Sequence, residues 1–249
     1  MLSYDFGFYL VLGFVAQLID GALGMAYGLI ATSALLASGA SPAIASASVH
    51  AAECVTSGLA GASHAWNRNV AWDLVKWLAP AGVAGGIVGA FILTELPENA
   101  VKVFVVVYLA GMTLLIARRI LTGNAGEIGF IGIVPIGVAG GFLDAIGGGG
   151  WGPMVNSTLI ARGESARHSI GSVSVCEFFV TMAISVTFLF SLDLSRYGTV
   201  VLGLIIGGAL AAPLAGWFSR VLPQPVLMSM VALIVGGLAL YNFIQLGSA

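Results

Sequence analysis

Charge is scarce in this chain. Of its 249 residues only 8% are Asp, Glu, Lys or Arg, where soluble globular proteins carry about a quarter. Nine Lys and Arg against eleven Asp and Glu leave a net charge of −2, so there is no basic face for a nucleic acid and no such partner is expected. Cysteine is nearly absent too. Cys54 and Cys176 each stand alone in apolar sequence, without the spacing of a metal site or a disulfide framework, and are expected as buried thiols. No ligand cluster and no nucleophile beside a base occurs, so no metal, cofactor or enzymatic activity is expected. The opening Met1-Leu-Ser-Tyr-Asp5 has no basic n-region, and the first apolar stretch is expected to stay in the mature protein.

What is present is apolar: 59% of the residues are hydrophobic and the mean hydropathy is +1.03. The apolar stretches repeatedly exceed the roughly 20 residues that cross a bilayer core, and the polar breaks between them are too short for a soluble domain. The chain is therefore expected to be an all-α, polytopic integral membrane protein of the inner (plasma) membrane, with lipid around it.

Two places interrupt the apolar sequence in the same way. Gly147-Gly148-Gly149-Gly150 follows Asp144 and precedes Trp151-Gly152-Pro153. Four glycines do not hold a helix, since each costs roughly 1 kcal/mol against alanine. Pro153 suits the first turn of a new helix. A helix N-terminus therefore opens at bare backbone, an arrangement that receives anions. Gly13, Asp20, Gly24, Tyr27 and Gly28 match Gly137, Asp144, Gly148, Trp151 and Gly152 at a separation of 124 residues. The same offset places Ser41 on Ser165, Ser48 on Ser172 and Glu53 on Glu177; at 126 residues Gly82, Leu96-Pro97 and Gly111 match Gly208, Leu222-Pro223 and Gly237.

The chain thus divides into two repeats. The first, 1–121, is expected to hold a broken helix at 8–37 and helices at 43–65, 72–93 and 98–119. A linker at 122–127 leads to the second, 128–249, with a broken helix at 130–160 and helices at 169–189, 197–219 and 225–246. Two topologies compete. Eight full spans put Arg68, Lys76, Arg118, Arg119 and Arg196 on one side against Lys102, Arg162, Arg167 and Arg220, an uninformative five-to-four split. If both broken segments are re-entrant, the halves are inverted and only Lys102 and Arg196 oppose the other seven basic residues. Basic residues favour cytoplasmic loops, which favours inversion, a recurring transporter design.

Irregular backbone at membrane depth is tolerated where protein buries it or it lines a wet cavity, and two symmetry-related copies point to one shared cavity. The carboxyls of Asp20 and Asp144 can either serve function there or bond the free N–H groups of the breaks. Glu53 and Glu177 are harder to assign to structure, because a carboxylate near the midplane costs roughly 3 kcal/mol on insertion scales and usually marks a pathway. His50 lies one turn before Glu53 on the same helical face, a spacing that allows a hydrogen-bonded pair; its repeat counterpart is Ser174.

The duplicated plan, the glycine-rich break in each half and Ile170-Gly171-Ser172-Val173 opening the next segment resemble the TauE/SafE family of sulfite and organosulfonate permeases, over essentially the whole chain. Gly147 to Gly150 with Pro153 resembles the family's GxGGG stretch and following proline, and Gly171-Ser172, with Val173 in place of serine, resembles its GTS-like triplet. Trp151 and Gly152 depart from a more aliphatic pattern, and Ser46 to Ser48 is a degenerate triplet in the first half. The resemblance implies secondary transport of a small sulfur-containing or related organic anion, often outward and without ATP. The expected substrate site then comprises Gly21, Gly24, Tyr27, Gly147, Gly148, Gly149, Gly150 and Trp151 at the tips, with Ser48, Asn156, Ser172 and Ser174 nearby. Asp20, His50, Glu53, Asp144 and Glu177 are the expected coupling or gating groups, with the proton as coupling ion. A passive anion channel is the alternative.

Overall fold

The computed structural model describes residues 6–122, 132–162, 164–192, 197–221 and 224–247. The expected linker beyond Thr122, and residues 130 and 131 of the second broken helix, lie outside them. Every regular element among the described residues is helical. The first half comprises α1 (Phe6–Leu23), α2 (Tyr27–Ala37), α3 (Pro42–Trp66), α4 (Trp72–Glu95) and α5 (Glu98–Thr122). In the second half α6 (Ile133–Gly147) leads through the glycine run into a π-helical turn (Gly152–Asn156) that continues as α7 (Ser157–Ala161), followed by α8 (Ala166–Ser191), α9 (Gly198–Val221) and α10 (Gln224–Gly247). Trp72–Glu95, Glu98–Thr122, Arg167–Ser191 and Met228–Leu246 are long and apolar enough to cross a membrane. Val107, Leu114, Phe190 and Leu233 are among the large apolar side chains left exposed on the outside of the bundle, a surface suited to lipid.

The helix starts follow from local chemistry. Ser41 caps α3 by accepting from the Ile44 amide at 3.4 Å, with Pro42 at the first helical position. Its repeat counterpart Ser165 accepts from the His168 amide at 3.3 Å, so α8 begins at Ala166, before the expected residue 169. The breaks are set by backbone conformation. Gly24 and Gly148 take φ +67°, Gly149 φ +146° and Ala26 φ 138°, a region that favours glycine. Because the first break falls at Gly24 to Ala26, Gly21 stays inside α1, and the two arms have 18 and 11 residues.

Contacts fix the directions of the helices. α3 and α8, which the repeat makes equivalent, cross antiparallel: Gly58 faces Phe178, Gly61 faces Val175, and Cys54 lies 3.4 Å from Ser185. α5 and α10 also run antiparallel, with Thr113 beside Gly236 and Lys102 near Gln245. α1 instead lies parallel to α9, where Tyr9 meets Gly203 and Gln17 meets Gly208, and α6 lies parallel to α4, where Gly137 meets Ala81 and Phe142 meets Gly89. The halves have exchanged their first helices. Residues 6–37 enter from the end where α3 begins and return to it, and residues 133–161 do the same from the opposite end. Their tips meet inside the bundle.

The α4–α6 contact is backbone against backbone. A Cβ at Gly85 would collide with the Val138 carbonyl, and one at Gly89 would stand 2.6 Å from the Phe142 carbonyl oxygen. Such approach is what small residues allow between helices in lipid. Gly85→Ala is therefore expected to destabilise the purified protein by about 1–3 kcal/mol through overpacking. Gly237→Ala adds a Cβ with nothing within 4 Å and is expected to be neutral or up to about 1 kcal/mol stabilising. Gly236 is no neutral control, since an added Cβ would stand 2.8 Å from Thr113 Cγ2. Thermal unfolding in detergent compares the variants, and equal melting of Gly85→Ala and Gly237→Ala would contradict this packing.

Candidate functional site

Where the two tips meet lies a cavity of about 10 Å³, lined by Asp20, Glu53, Asp144 and Glu177 together. The four acids come from α1, α3, α6 and α8, two equivalent pairs of the repeat. The rest of the lining comes from the tips, residues 26–29 of one and Gly149, Gly150, Gly152 and Pro153 of the other. The space suits about one water molecule, so in this conformation the site is closed.

Each aspartate closes the break of its own half. Asp144 Oδ1 accepts from the amides of Gly150 at 2.7 Å and Trp151 at 2.9 Å, and its backbone carbonyl accepts from Gly148 and Gly149 at 2.8 and 3.2 Å. Asp20 Oδ1 accepts from the Tyr27 amide at 3.1 Å, and its carbonyl accepts from Gly24 at 2.6 Å. The amides that a helix N-terminus would offer to an anion are thus held by carboxylates of the chain itself.

His50 pairs across the halves, with Asp144 rather than with Glu53. Its Nε2 stands 3.1 Å from Asp144 Oδ2, with both side chains buried. Helical spacing brings His50 and Glu53 onto one face but does not show that α6 passes closer. Nδ1 lies 2.7 Å from the Ser46 carbonyl oxygen, an acceptor, so Nδ1 carries a hydrogen. The Ser46 hydroxyl is spent on the Ala145 carbonyl at 2.5 Å. A neutral imidazole with hydrogen on Nδ1 would aim the lone pair of Nε2 at a carboxylate oxygen. The pair therefore requires a proton between Nε2 and Oδ2, carried by an imidazolium or by a protonated carboxyl. Among the described residues Asp20 has no such pair, and Ser174, the counterpart of His50, donates to the Ile170 carbonyl at 2.9 Å. Glu53 Oε2 is buried without a hydrogen-bond partner in the structure.

The glycines serve the meeting of the tips. A Cβ on Gly28 would stand 2.5 Å from the Gly149 Cα, and one on Gly149 would collide with the Gly28 backbone. Thr32 Oγ1 donates to the Gly148 carbonyl at 2.5 Å, and Tyr108 Oη donates to the Gly149 carbonyl at 3.0 Å. Thr32 matches Asn156 in the repeat, a signal that could have found it; Tyr108 sits in a plain apolar segment and left none.

The remaining expected residues are dispersed. Gly21 is exposed on α1, and Gly24 faces Ile170 and Asn156. The Tyr27 hydroxyl donates to the Leu204 carbonyl at 3.1 Å, and buried Trp151 donates through Nε1 to the Val173 carbonyl at 3.1 Å. Ser172 accepts from the Ala71 amide at 2.9 Å and so holds the start of α4. Asn156 Oδ1 accepts from Ser169 at 2.6 Å. Ser48, Asn156, Ser172 and Ser174 do not line the central cavity. Ser48 Oγ and Asn156 Nδ2 are buried without hydrogen-bond partners in the structure.

A family model described as "Sulfite exporter TauE/SafE" matches residues 9–242. The chain belongs to the TauE/SafE family. It is also 39% identical over 235 residues to the "Probable membrane transporter protein YtnM" of Bacillus subtilis (strain 168), covering 91% of this chain and 77% of that protein. No solved structure matches. With its apolar helices, membership of the TauE/SafE family makes this a multi-pass membrane transporter of the plasma membrane.

The two aspartates are unequal. Asp144→Ala would strand two amides and the His50 ring, whereas Asp20→Ala would strand one amide; each buried group left unpaired costs about 1–3 kcal/mol. Asp144→Ala is therefore expected to lower the melting temperature in detergent more than Asp20→Ala does. The reverse order would contradict this division of labour.

Proposed function

We propose that the chain is a secondary transporter that moves a small sulfur-containing organic anion, or sulfite, together with a proton through the meeting point of the two tips. The observation that carries this reading is the convergence of four acids, one from each of four helices drawn equally from both halves, on the glycine tips. Asp144 occupies with Oδ1 the amides that an oxyanion would take, so it stands in for the substrate in the closed site. An anion replaces it only when the carboxyl gives up these amides, and a proton of the kind held between His50 and Asp144 neutralises it as it does so. An anion and four ionised carboxylates repel one another at this range. Loading the anion thus goes with loading protons, and the two move in the same direction. Separation of Gly28 from Gly149 opens the site.

An inverted arrangement of the halves, with both broken segments re-entrant, accompanies this proposal. Support comes from the antiparallel crossing of α3 and α8 and from Arg167, which donates to Asn69 Oδ1 at 2.5 Å and to the Asn67 carbonyl at 3.2 Å. Those contacts bring residues 67–69 and 167 to one end, whereas eight full spans would part them. The end holding Arg68, Lys76, Arg118, Arg162 and Arg167 is then cytoplasmic. Arg119 and Arg220, at the ends of α5 and α9, join it by helix direction, although their side chains, like all of Arg196, lie outside the described residues. Cysteines replacing Arg68 and Arg167 are expected to label from the cytoplasm and one replacing Lys102 from outside. Labelling of the Arg68 and Arg167 positions from opposite faces would sink the inverted arrangement.

The transport reading is tested in proteoliposomes with sulfite, methanesulfonate and carboxylates, with and without a proton gradient. Glu53→Gln and Glu177→Gln keep size and hydrogen bonding but remove the exchangeable charge. Each is expected to leave substrate binding largely intact while gradient-driven accumulation falls by tenfold or more, on the order of one charge-assisted interaction. Wild-type flux indifferent to the gradient would instead indicate a passive channel.

A further inference from the structure

A second opening, lined in part by polar side chains, lies away from the tips. A cavity of about 380 Å³ lies between the last turn of α2, the start of α5 and the end of α10, and Asn99, Lys102, Asn242 and Gln245 line it alongside Leu36 and Leu246. This volume falls in the range of small-molecule sites, about 300–1,000 Å³. Lys102 is the one lysine or arginine among the described residues at this end of the bundle; Arg68, Lys76, Arg118, Arg162 and Arg167 are all at the other. Among the described residues, the one cation at this end stands on the wall of this cavity.

We propose that this cavity is a second anion site, an outer vestibule in which the Lys102 ammonium and the amides of Asn99, Asn242 and Gln245 hold a small oxyanion on its way to or from the tips. The inference rests on the small-anion reading given above. Lys102 is paired with Glu98 at 2.7 Å, but the two side chains are 36% and 56% exposed. Exposed pairs at this helical spacing contribute little, so an anion exchanges with Glu98 readily. The turn after α2 takes up the carbonyls of Leu35 and Leu36, which lessens the negative end of that helix: Leu35 accepts from the Ala40 amide at 3.0 Å and the Ser38 hydroxyl at 2.7 Å, and Leu36 accepts from Gly39 at 2.9 Å. α5 begins here and adds the partial positive charge of its first turn.

The vestibule also touches the moving part of the site. Buried Asn242 donates through Nδ2 to the Ser33 carbonyl of α2 at 3.3 Å. α2 walls the vestibule with its last turn and lines the central cavity with Tyr27 and Gly28. Its 11 residues span about 16 Å at 1.5 Å each, so the two cavities are separate sites at the ends of one short helix. An anion that draws the Asn242 amide toward itself loosens α2 from α10.

The test uses the full chain in phosphatidylcholine proteoliposomes, with Cys54→Ala and Cys176→Ala and one reporter thiol introduced on the apolar wall by Leu246→Cys or, as an independent position, Leu36→Cys. The reporter is labelled from outside by a cationic, membrane-impermeant thiol reagent while methanesulfonate is titrated. At about ten times its dissociation constant the anion leaves roughly one site in ten open, so labelling is expected to slow about tenfold. Lys102→Gln is expected to raise the half-protecting concentration about tenfold, while a cysteine at Arg68, at the other end and reached in vesicles of the opposite orientation, labels at an unchanged rate. Labelling that methanesulfonate fails to slow at both reporters overturns the vestibule. So does protection that requires phosphatidylglycerol in the vesicles, which would assign the cavity to a lipid headgroup. Protection is read without turnover, so it stands even where Glu53→Gln and Glu177→Gln abolish the gradient response; loss of protection with gradient-driven flux intact overturns the vestibule alone.

Discussion

The structure turns on the satisfaction of main-chain polar groups where no water can reach them. A helix broken inside a bilayer strands N–H groups on one arm and carbonyls on the other, and each left unpaired there costs several kcal/mol. This chain makes two such breaks and closes them against one another. Asp20 and Asp144 take the amides, Thr32 and Tyr108 take the carbonyls of Gly148 and Gly149, and the glycines let the two tips touch. The exchange of first helices between the halves follows, because only a tip held along the far half's helix reaches the middle from the correct side.

That constraint explains which parts of the site were legible in the sequence. Acids and glycines inside apolar stretches stand out against their surroundings, and the offset of 124 residues pairs them, so the four acids and the two breaks are legible in the sequence. All four acids do line one cavity. Contacts between halves leave no such trace. The partner of His50 is Asp144, 94 positions away, whereas helical spacing sees only neighbours such as Glu53. Ser172 matched a family-like triplet, yet it holds the start of α4, a task that depends on the α3–α4 turn reaching α8. Tyr108 lies in the least distinctive helix of the first half, where its hydroxyl marks nothing until the fold places Gly149 above it. Gly21 does not break α1, because one glycine costs a helix only about 1 kcal/mol, and the break falls at Gly24 and Ala26, where φ is positive.

The symmetry of the backbone conceals an asymmetry of charge. Both aspartates cap their own break, but Asp144 holds two amides and faces a histidine, while Asp20 holds one amide and has a serine where the histidine would be. Hydrogen bonds to a carboxylate and the facing ring both hold Asp144 in place, so the second tip is the more firmly built. A proton must sit between His50 and Asp144 for the observed geometry to be stable, and it belongs to a contact between the two halves. Moving the tips apart disturbs that contact, and moving the proton disturbs the grip of Asp144 on Gly150 and Trp151. Charge and conformation are therefore tied at Asp144, the one of the two equivalent aspartates that meets a histidine, supplied to it by the other half.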